Sequence, residues 1–430
     1  MASAMSRTAL PLLVLAFSCR VFAGEELYRA AAESNVNQRY TIESIAIAGV
    51  QVDEAKLPPS LRQRMNALIG KHCDVAVLQD LAADLRRELH LREVNHHLLR
   101  GSRPDRVRVD FAVVKKPVDI AVPKFLYNSE QGFTGEVNAT TQVGQNTFML
   151  GAVSNGDDLT ERFTGIVARY DTRLLGSDRV NFGVGFEDFH EQWNSATRTA
   201  AEATPLQTTP SQTFDLYRAR RNIAPSLTFT VARPLTVSVG TSFEETKSEN
   251  PIIGDRSANA FTAEIHYGRK IEGDTVQQTI DGKYDLRAGS RSLGSDYSYS
   301  RHMVTLRYEI VSGRQTASDE LTAGAISGDA PMFERFVLGS SSTLRGWDRY
   351  AIDPLGGDHM IHNSLTYGYR FGERTAEVFY DSGALWNYGR SAELRHSLGV
   401  GYRQGVFVMT MAFPVIQGRI EPVFMAGMNY

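Results

Sequence analysis

Apolar and polar residues follow two different periods along the chain, and the change comes near residue 117. Between residues 40 and 116, Tyr40 to Ile47 is strand-like, and two segments with apolar residues at helical spacing come next. These segments carry Leu61, Met65, Leu68 and Ile69, then Val77, Leu78, Leu81, Leu85 and Leu89. A short strand over 94–99 and an alternating one over 107–113 follow. The pattern predicts a small α+β domain over residues 40–116.

From Val118 to the C-terminus, alternation of period two replaces the helical pattern. Val304, Leu306 and Tyr308 share one face of such a segment, whereas charged residues fall on the other. The mid-strand charges are Glu264, Arg307, Glu309, Glu377 and Asp381. A dry sandwich core would leave such charges unpaired at high cost, but the polar interior of a membrane barrel accommodates them. Residues 118–430 are therefore predicted to form an all-β transmembrane barrel.

About sixteen antiparallel strands can be placed in this region. Their lengths bracket the roughly 9–11 residues that a tilted membrane strand needs, and short and long connections alternate as in outer-membrane barrels. An even number returns both barrel ends to the periplasmic side, where the small domain is expected. The predicted strands cover 118–126, 132–142, 146–154, 161–172, 178–193, 213–231, 235–247, 259–271, 275–288, 297–311, 315–327, 360–371, 375–386, 394–403, 406–414 and 419–430.

Composition and charge argue against two other classes of protein, those with membrane helices and those that bind nucleic acid. The chain has 430 residues, 42% of them hydrophobic, and a mean hydropathy of −0.26. Its longest apolar run, Ala9 to Phe17, is far below the roughly 20 residues of a membrane helix. A net charge of −3 gives no electrostatic case for a nucleic-acid partner. Membrane helices and nucleic-acid binding are therefore not predicted.

The N-terminus has the features of a secretory signal peptide. Arg7 supplies the positive charge, an apolar stretch follows, and Val21-Phe22-Ala23 resembles a cleavage site. Residues 1–23 are therefore predicted to be removed, while a lipid anchor at Cys19 is the alternative. After removal Cys73 is the only cysteine, so no intramolecular disulfide is expected.

Two motifs lie in and after the longest predicted loop. Arg345-Gly346-Trp347 ends the stretch that begins at Phe336, and Phe379-x-Asp381-x-Gly383 follows in a strand. Together they resemble the sixth-loop triplet and the F-x-D-x-G motif of the BamA/TamA family of outer-membrane assembly factors. The α+β domain looks like one POTRA repeat of that family, fewer than its assembly factors carry. The resemblance covers nearly all of the mature chain.

The resemblance assigns a role to each matched residue. It implies that the loop folds into the lumen and that Arg345 reaches Asp381, with Gly346 allowing a tight turn. Trp347 would wedge against the wall, and Gly383 would leave room for the loop. The alternation along the strand independently turns Glu377, Phe379, Asp381 and Gly383 inward. The alternative is a surface arginine and a lumenal aspartate that never meet. Where the family has a glutamate in the strand after the loop, this chain aligns Thr366, which leaves Glu377 as the candidate second acid.

The two strands that would close the barrel carry prolines. Pro117 and Pro123 fall in the predicted first strand and Pro422 in the last, which ends at Tyr430. Proline donates no ladder hydrogen bond and is confined to edges, strand starts and bulges. We therefore predict a weakly paired junction that can open sideways into the lipid. Alternatively, each proline nitrogen falls at a position without a ladder bond.

The family resemblance implies a protein that inserts clients into the outer membrane or moves them across it. The expected partners are unfolded outer-membrane or secreted proteins, outer-membrane lipid, and periplasmic or lipoprotein accessory subunits. No cofactor is predicted, and neither a G-x-S-x-G nor a P-loop motif supports an enzyme. A secretion pore for one dedicated partner and a passive or structural barrel remain as alternatives.

Overall fold

The computed structural model describes most of the chain after residue 38. The described residues are 39–48, 57, 59–89, 91–115, 119–121, 123–130, 132–155, 159, 161–174, 179–203, 216–232, 234–250, 254–272, 276–416 and 421–428. They divide into two compact units, with the division between Lys115 and Lys116. The predicted signal peptide over residues 1–23, together with Pro117 and Tyr430, lies outside the described residues.

The first unit packs two helices on a three-stranded sheet. Its elements are β1 (Thr41–Ala48), α1 (Pro59–Leu68), α2 (Val75–Glu88), β2 (Leu91–Arg100) and β3 (Arg106–Lys115). The sheet order is β1-β3-β2, with β1 parallel and β2 antiparallel to β3. This is the element order that the periodicity predicts, because the apolar helix positions Leu61, Leu78, Leu81 and Leu85 all face one core.

Cys73 lies fully buried in this core. Burial raises the pKa of its thiol, because the thiolate would lose its hydration there. The side chain is therefore protonated and out of reach of oxidants.

The second unit is a closed antiparallel barrel of sixteen strands within the described residues, as predicted. Two segments of two residues, β4 and β12, extend neighbouring strands and are not counted. The strands are β4 (Asp119–Ile120), β5 (Lys124–Asn128), β6 (Gly132–Val143), β7 (Asn146–Asn155), β8 (Arg162–Arg173), β9 (Val180–Gln192), β10 (Tyr217–Ala232), β11 (Leu235–Ser248), β12 (Arg256–Ser257), β13 (Ala260–Glu272), β14 (Val276–Gly289), β15 (Ser298–Ser312), β16 (Gln315–Asp329), β17 (His359–Phe371), β18 (Arg374–Trp386), β19 (Arg395–Gln404), β20 (Phe407–Pro414) and β21 (Val423–Met428). Two short helices, α3 (Ser195–Ala203) and α4 (Arg349–Ile352), lie in connections.

The two faces of the barrel wall differ in polarity. Apolar side chains such as Leu306 and Val400 are about half exposed on the outside, as lipid contact requires. On the inside, Lys283 Nζ lies 3.1 Å from Glu264 and 3.0 Å from Asp285. The predicted inward position of Glu264 is therefore confirmed. Among the described helices, none has both the length and the apolar character needed to cross a membrane.

The first strand is interrupted at Pro123. Ile120 is opposite Ala139 of β6, and Lys124 is opposite Glu136, so the first strand has one extra residue between these pairs. This is the geometry of a β-bulge. At the other end of the chain, Pro422 directly precedes β21. Both prolines therefore flank the closing strands instead of lying within them as predicted, at positions that proline tolerates.

The junction between β21 and β5, which we call the seam, closes the barrel over a short distance. Within the described residues only four residue pairs join these strands, from Met425 opposite Asn128 to Met428 opposite Phe125. By contrast, fifteen pairs join β15 to β16. Among the described residues, the backbone ladder of the seam is therefore about a quarter as long as that between β15 and β16.

Candidate functional site

The inner loop, residues 330–358 between β16 and β17, packs against the inside of the barrel. Phe336 and Gly357 exchange backbone hydrogen bonds of 3.0 and 2.9 Å, which bring the two ends of the loop together. Arg335 Nη1 lies 2.8 Å from Asp358 Oδ1, and this ion pair also joins the two ends of the loop. Leu338 and Leu344 are fully buried within the loop. They share an apolar cluster with Ile326, Met360 and Leu385 of β16, β17 and β18, so the loop is packed against the wall.

Arg345 and Asp381 form a bidentate ion pair inside the barrel. Arg345 Nε donates to Asp381 Oδ2 and Nη2 donates to Oδ1, both at 2.7 Å. The backbone N–H of Arg345 also donates to Oδ2, at 3.2 Å. The hydrogen bonds join a guanidinium to a carboxylate, so they are charge-assisted, and their bidentate geometry makes them specific. Asp381 is fully buried. The alternative in which the two residues never meet is wrong.

The second partner of Arg345 is a hydroxyl group. Arg345 Nη2 donates to Ser364 Oγ at 3.0 Å, and Ser364 Oγ donates to Asp381 Oδ1 at 2.8 Å. The predicted candidate, Glu377, does not take this position, since it lies 3.6 Å from Arg403. Thr366, the aligned residue, is opposite Phe379. Ser364 was missed because the partner of Asp381 depends on the register between β17 and β18, which local sequence does not give.

Gly346 and Trp347 hold the loop against the strands near the seam. Gly346 has a φ of +90°, a conformation that favours glycine. A Cβ atom there would also lie 3.0 Å from Ala412 Cβ on β20. Trp347 Nε1 donates to the carbonyl oxygen of His396 on β19 at 2.9 Å, and the Arg395 guanidinium lies over its ring. Both residues therefore contact the wall as the resemblance implies.

Phe379 and Gly383 flank Asp381 on the same inward face of β18. The guanidinium carbon of Arg345 lies 3.5 Å from the centre of the Phe379 ring, so the arginine combines its ion pair with a cation–π contact. A Cβ atom at Gly383 would lie 3.1 Å from Leu338 Cδ1 and 2.9 Å from the Ile361 carbonyl oxygen. Its absence makes room for the loop. The structure thus brings together all six residues of the predicted loop–barrel lock: Arg345, Gly346, Trp347, Phe379, Asp381 and Gly383.

A second anchor fixes the start of the inner loop to other strands. Glu334 is 5% exposed and accepts a hydrogen bond from the Tyr299 hydroxyl at 3.0 Å. Arg287 Nε lies 2.5 Å from Glu334 Oε1, and Arg301 Nε donates to the Glu334 backbone oxygen at 2.9 Å. These partners belong to β14 and β15. This anchor was not predicted from the sequence, although Arg287 and Arg301, at inward positions of β14 and β15, were its visible signal.

The second anchor continues into a buried charge network. Arg287 also pairs with Glu244, which pairs with Arg220 at 2.8 Å. Phe333 lies beneath the Arg220 guanidinium, 4.9 Å from its carbon. The inner loop is therefore held at its start by β10, β11, β14 and β15, and near its middle by β17 to β20.

The arrangement holds the inner loop against the inside of the barrel at two places. Its strongest elements are buried ion pairs and apolar contacts. Among the described residues, no group of three or more His, Cys, Asp or Glu side chains is placed to hold a metal ion.

Comparisons with known proteins agree with this architecture. The family profile described as the Omp85 superfamily domain matches residues 152–410. The outer membrane protein assembly factor BamA of Nitratidesulfovibrio vulgaris is 27% identical over 157 aligned residues, which cover 30% of this chain and 20% of that protein. The match thus spans about a fifth of the curated relative's length.

Solved structures share the fold at low sequence identity. BamA from Haemophilus ducreyi lacking POTRA domains 1–3 superposes with a TM-score of 0.58 at 15% identity, covering 91% of this chain and 84% of that one. CdiB from Acinetobacter baumannii gives 0.56 at 14% identity, covering 91% and 74%. CdiB from Escherichia coli gives 0.53 at 11% identity, covering 91% and 76%. The resemblance to the BamA/TamA family is confirmed.

Proposed function

Because this chain belongs to the Omp85 superfamily of outer-membrane β-barrel proteins, we propose that it inserts client proteins into the outer membrane or moves them across it. In this proposal, residues 40–116 form a periplasmic POTRA domain that receives unfolded clients, and the barrel over residues 118–430 opens at its seam. Outer-membrane lipid and periplasmic or lipoprotein accessory subunits are the other proposed partners. Folding of the client supplies the driving force, without a cofactor or catalytic residues.

The uneven closure of the barrel is the observation that carries this proposal. The seam has four residue pairs within the described residues, and prolines flank both of its strands. A strand edge that becomes free presents unpaired backbone groups to another strand. An insertion machine needs such an edge, whereas a passive pore gains nothing from it.

A disulfide across the seam tests this step. Tyr127 and Ala426 are directly opposite each other, so Tyr127→Cys and Ala426→Cys are combined with Cys73→Ser. Client assembly is measured in vesicles before and after oxidation. We expect oxidation to stop assembly and reduction to restore it. Equal activity of the locked and reduced proteins would remove lateral opening from the mechanism.

A matched disulfide controls for the chemistry. Leu306 of β15 and Leu321 of β16 are directly opposite each other in the long ladder. Leu306→Cys with Leu321→Cys, again in the Cys73→Ser background, locks a junction that the proposal keeps closed. This protein should assemble clients equally well with and without oxidation.

The POTRA assignment is tested separately. Its support is the order strand, helix, helix, strand, strand, with a buried core of its own. Residues 24–117 expressed alone should be soluble and give a circular dichroism spectrum with helical signal. An insoluble product, or a spectrum without helix, would contradict the assignment.

Secretion of one dedicated partner is the second candidate, and the fold likeness to two CdiB structures fits it in part. Depletion of the protein followed by outer-membrane proteomics separates the candidates. Loss of many barrel proteins supports a general insertase, and loss of one exported protein supports a dedicated pore. Steady ion conductance with no change in other barrels would indicate a passive barrel.

A further inference from the structure

Four apolar side chains from four strands form one buried cluster on the inner face of the barrel. They are Leu126 of β5, Phe379 of β18, Ala412 of β20 and Met425 of β21, and each is at most 4% exposed. Leu126 and Met425 lie on opposite sides of the seam. The cluster, which we call the apolar bridge, therefore crosses the junction where the backbone ladder is shortest.

Residues with little or no side chain allow the bridge to form. Phe379, Gly399 and Ala412 are opposite one another on adjacent strands. A Cβ atom at Gly399 would lie 2.5 Å from Phe379 Cε1, so the ring leans across β19 towards Ala412.

The same device recurs at the seam. Gly427 is directly opposite Leu126, and a Cβ atom at Gly427 would lie 2.9 Å from Leu126 Cδ1. Leu126 therefore occupies space that a side chain on β21 would otherwise take. Both large side chains reach their neighbours by passing over a glycine.

The inner loop contacts two of the four bridge residues. The Arg345 guanidinium covers the Phe379 ring at 3.5 Å, and Gly346 packs on Ala412. Arg345 is at the same time fixed by Asp381. A continuous path of contacts thus runs from the ion pair, through Phe379 and Ala412, to the side chains that meet across the seam.

We propose that the apolar bridge couples the inner loop to the seam. While Arg345 holds Phe379 in place, the bridge keeps β5 and β21 together from the inside. Departure of Arg345 frees Phe379 to move, and the support that the bridge gives to the short ladder of the seam is then weakened. The use of this coupling in client insertion rests on the function proposed above, but the coupling itself is a property of the barrel.

Distance measurements across the seam test the coupling without a client. Spin labels are placed at Tyr127→Cys and Ala426→Cys in the Cys73→Ser background, and the full-length protein is reconstituted in lipid nanodiscs. Double electron–electron resonance then gives the populations of closed and separated seams. Because neither labelled residue belongs to the bridge, the labels leave it intact.

Bridge and lock variants should both separate the seam. Leu126→Ala and Phe379→Leu should raise the separated-to-closed ratio on the order of tenfold, since each removes buried apolar contacts. Arg345→Ala should raise it similarly. Combining Arg345→Ala with Phe379→Leu should add little beyond either change, because both interrupt one path.

Two further variants serve as controls. Phe163→Leu removes the same atoms from a buried phenylalanine of β8, away from the bridge, and should leave the ratio unchanged. Leu126→Met keeps an apolar side chain of similar volume. Its closed population should therefore equal that of the parent, which can be measured even if Leu126→Ala folds poorly.

Three results would overturn the proposal: no separation in Leu126→Ala and Phe379→Leu, equal separation in Phe163→Leu, or fully additive effects of the lock and bridge changes. The outcome is distinguishable from failure of the proposed function. A seam that separates in these variants, in a protein whose disulfide-locked form still assembles clients, would keep the coupling and remove lateral opening.

Discussion

The barrel is closed in two different ways on its two sides. The wall formed by β14, β15 and β16 is joined by fourteen and fifteen residue pairs. Some of its inward ion pairs are partly exposed, such as Arg307 with Glu309, and others are buried at the start of the inner loop, such as Arg287 with Glu334. The region from β17 through β21 to β5 ends in a seam of four described pairs. There, a buried ion pair, a cation–π contact and an apolar cluster lie on the inside of the strands.

The difference shows at which strand junctions of the barrel a side-chain movement can change the strength of pairing. A long backbone ladder is lost only when a strand leaves, and few side-chain changes weaken it. A short ladder supported by side chains responds to any movement of those side chains. The inner loop supplies several of them, so its position sets how firmly the seam is closed. Three measurements sharpen or break this contrast.

The largest effect is expected from the buried ion pair. Arg345→Ala leaves Asp381 buried without its partner, and removing one member of such a pair costs about 3–5 kcal/mol. Arg307→Ala on the wall, which removes a half-exposed partner of Glu309, should cost less than about 1 kcal/mol. Urea unfolding in detergent micelles, followed by heat-modifiable gel mobility, measures both.

An exchange of the two charges provides the specific control. Arg345→Asp combined with Asp381→Arg should recover part of the stability and client assembly that either single change loses. Single variants as stable and active as the parent would show that the lock does not hold the loop.

A matched pair of glycine substitutions should give an intermediate effect. Gly427→Ala places a methyl group against the Phe125 backbone oxygen and 2.9 Å from Leu126 Cδ1 at the seam, which should destabilise the barrel by about 1–3 kcal/mol. Gly282→Ala in β14 meets Leu306 Cδ2 at 3.4 Å and the Tyr267 backbone oxygen at 4.0 Å, both ordinary contacts, and should stay within about 0.5 kcal/mol of the parent. Equal values for the two would mean that the seam is packed no more tightly than the wall.

The smallest effect concerns local opening. Backbone amides of β21 should exchange hydrogen faster than those in the middle of β15, on the order of tenfold, because short ladders open at lower free energy. Hydrogen–deuterium exchange mass spectrometry in nanodiscs resolves peptides from both strands. Oxidation of the Tyr127→Cys, Ala426→Cys protein should slow exchange in β21 and leave exchange in β15 unchanged. In the reduced protein, protection of β21 equal to that of β15 would contradict the contrast.

Strand positions could be predicted closely because period-two alternation is a local property. The predicted 315–327 and 360–371 compare with Gln315–Asp329 and His359–Phe371. The first strand was predicted at 118–126, but its bulge at Pro123 was not, because a bulge shifts the pairing without changing the pattern. Bulges depend on the partner strand, which alternation does not reveal.

The candidate site likewise contains residues that could be predicted from the sequence and residues that could not. The lock from Arg345 to Gly383 could be predicted because its residues form two recognisable motifs. Ser364 and Glu334 could not be predicted, since their partners are decided by strand register and by which inward side chains lie at the same level along the barrel axis. Gly399 and Gly427 carry no signal in the sequence, because their role is the space that they leave for a side chain on a neighbouring strand.

The hydrogen bonds around the seam join residues that are far apart in the chain. The Phe424 backbone N–H donates to Ser129 Oγ across 295 positions of sequence, whereas Asp381 follows Arg345 by only 36. Contacts of such separation form late, because the chain between them must first be ordered. The inner loop can therefore reach Asp381 while the barrel is still an open sheet. Closure of the ring then requires β21, so the inner loop can be in place before the seam forms.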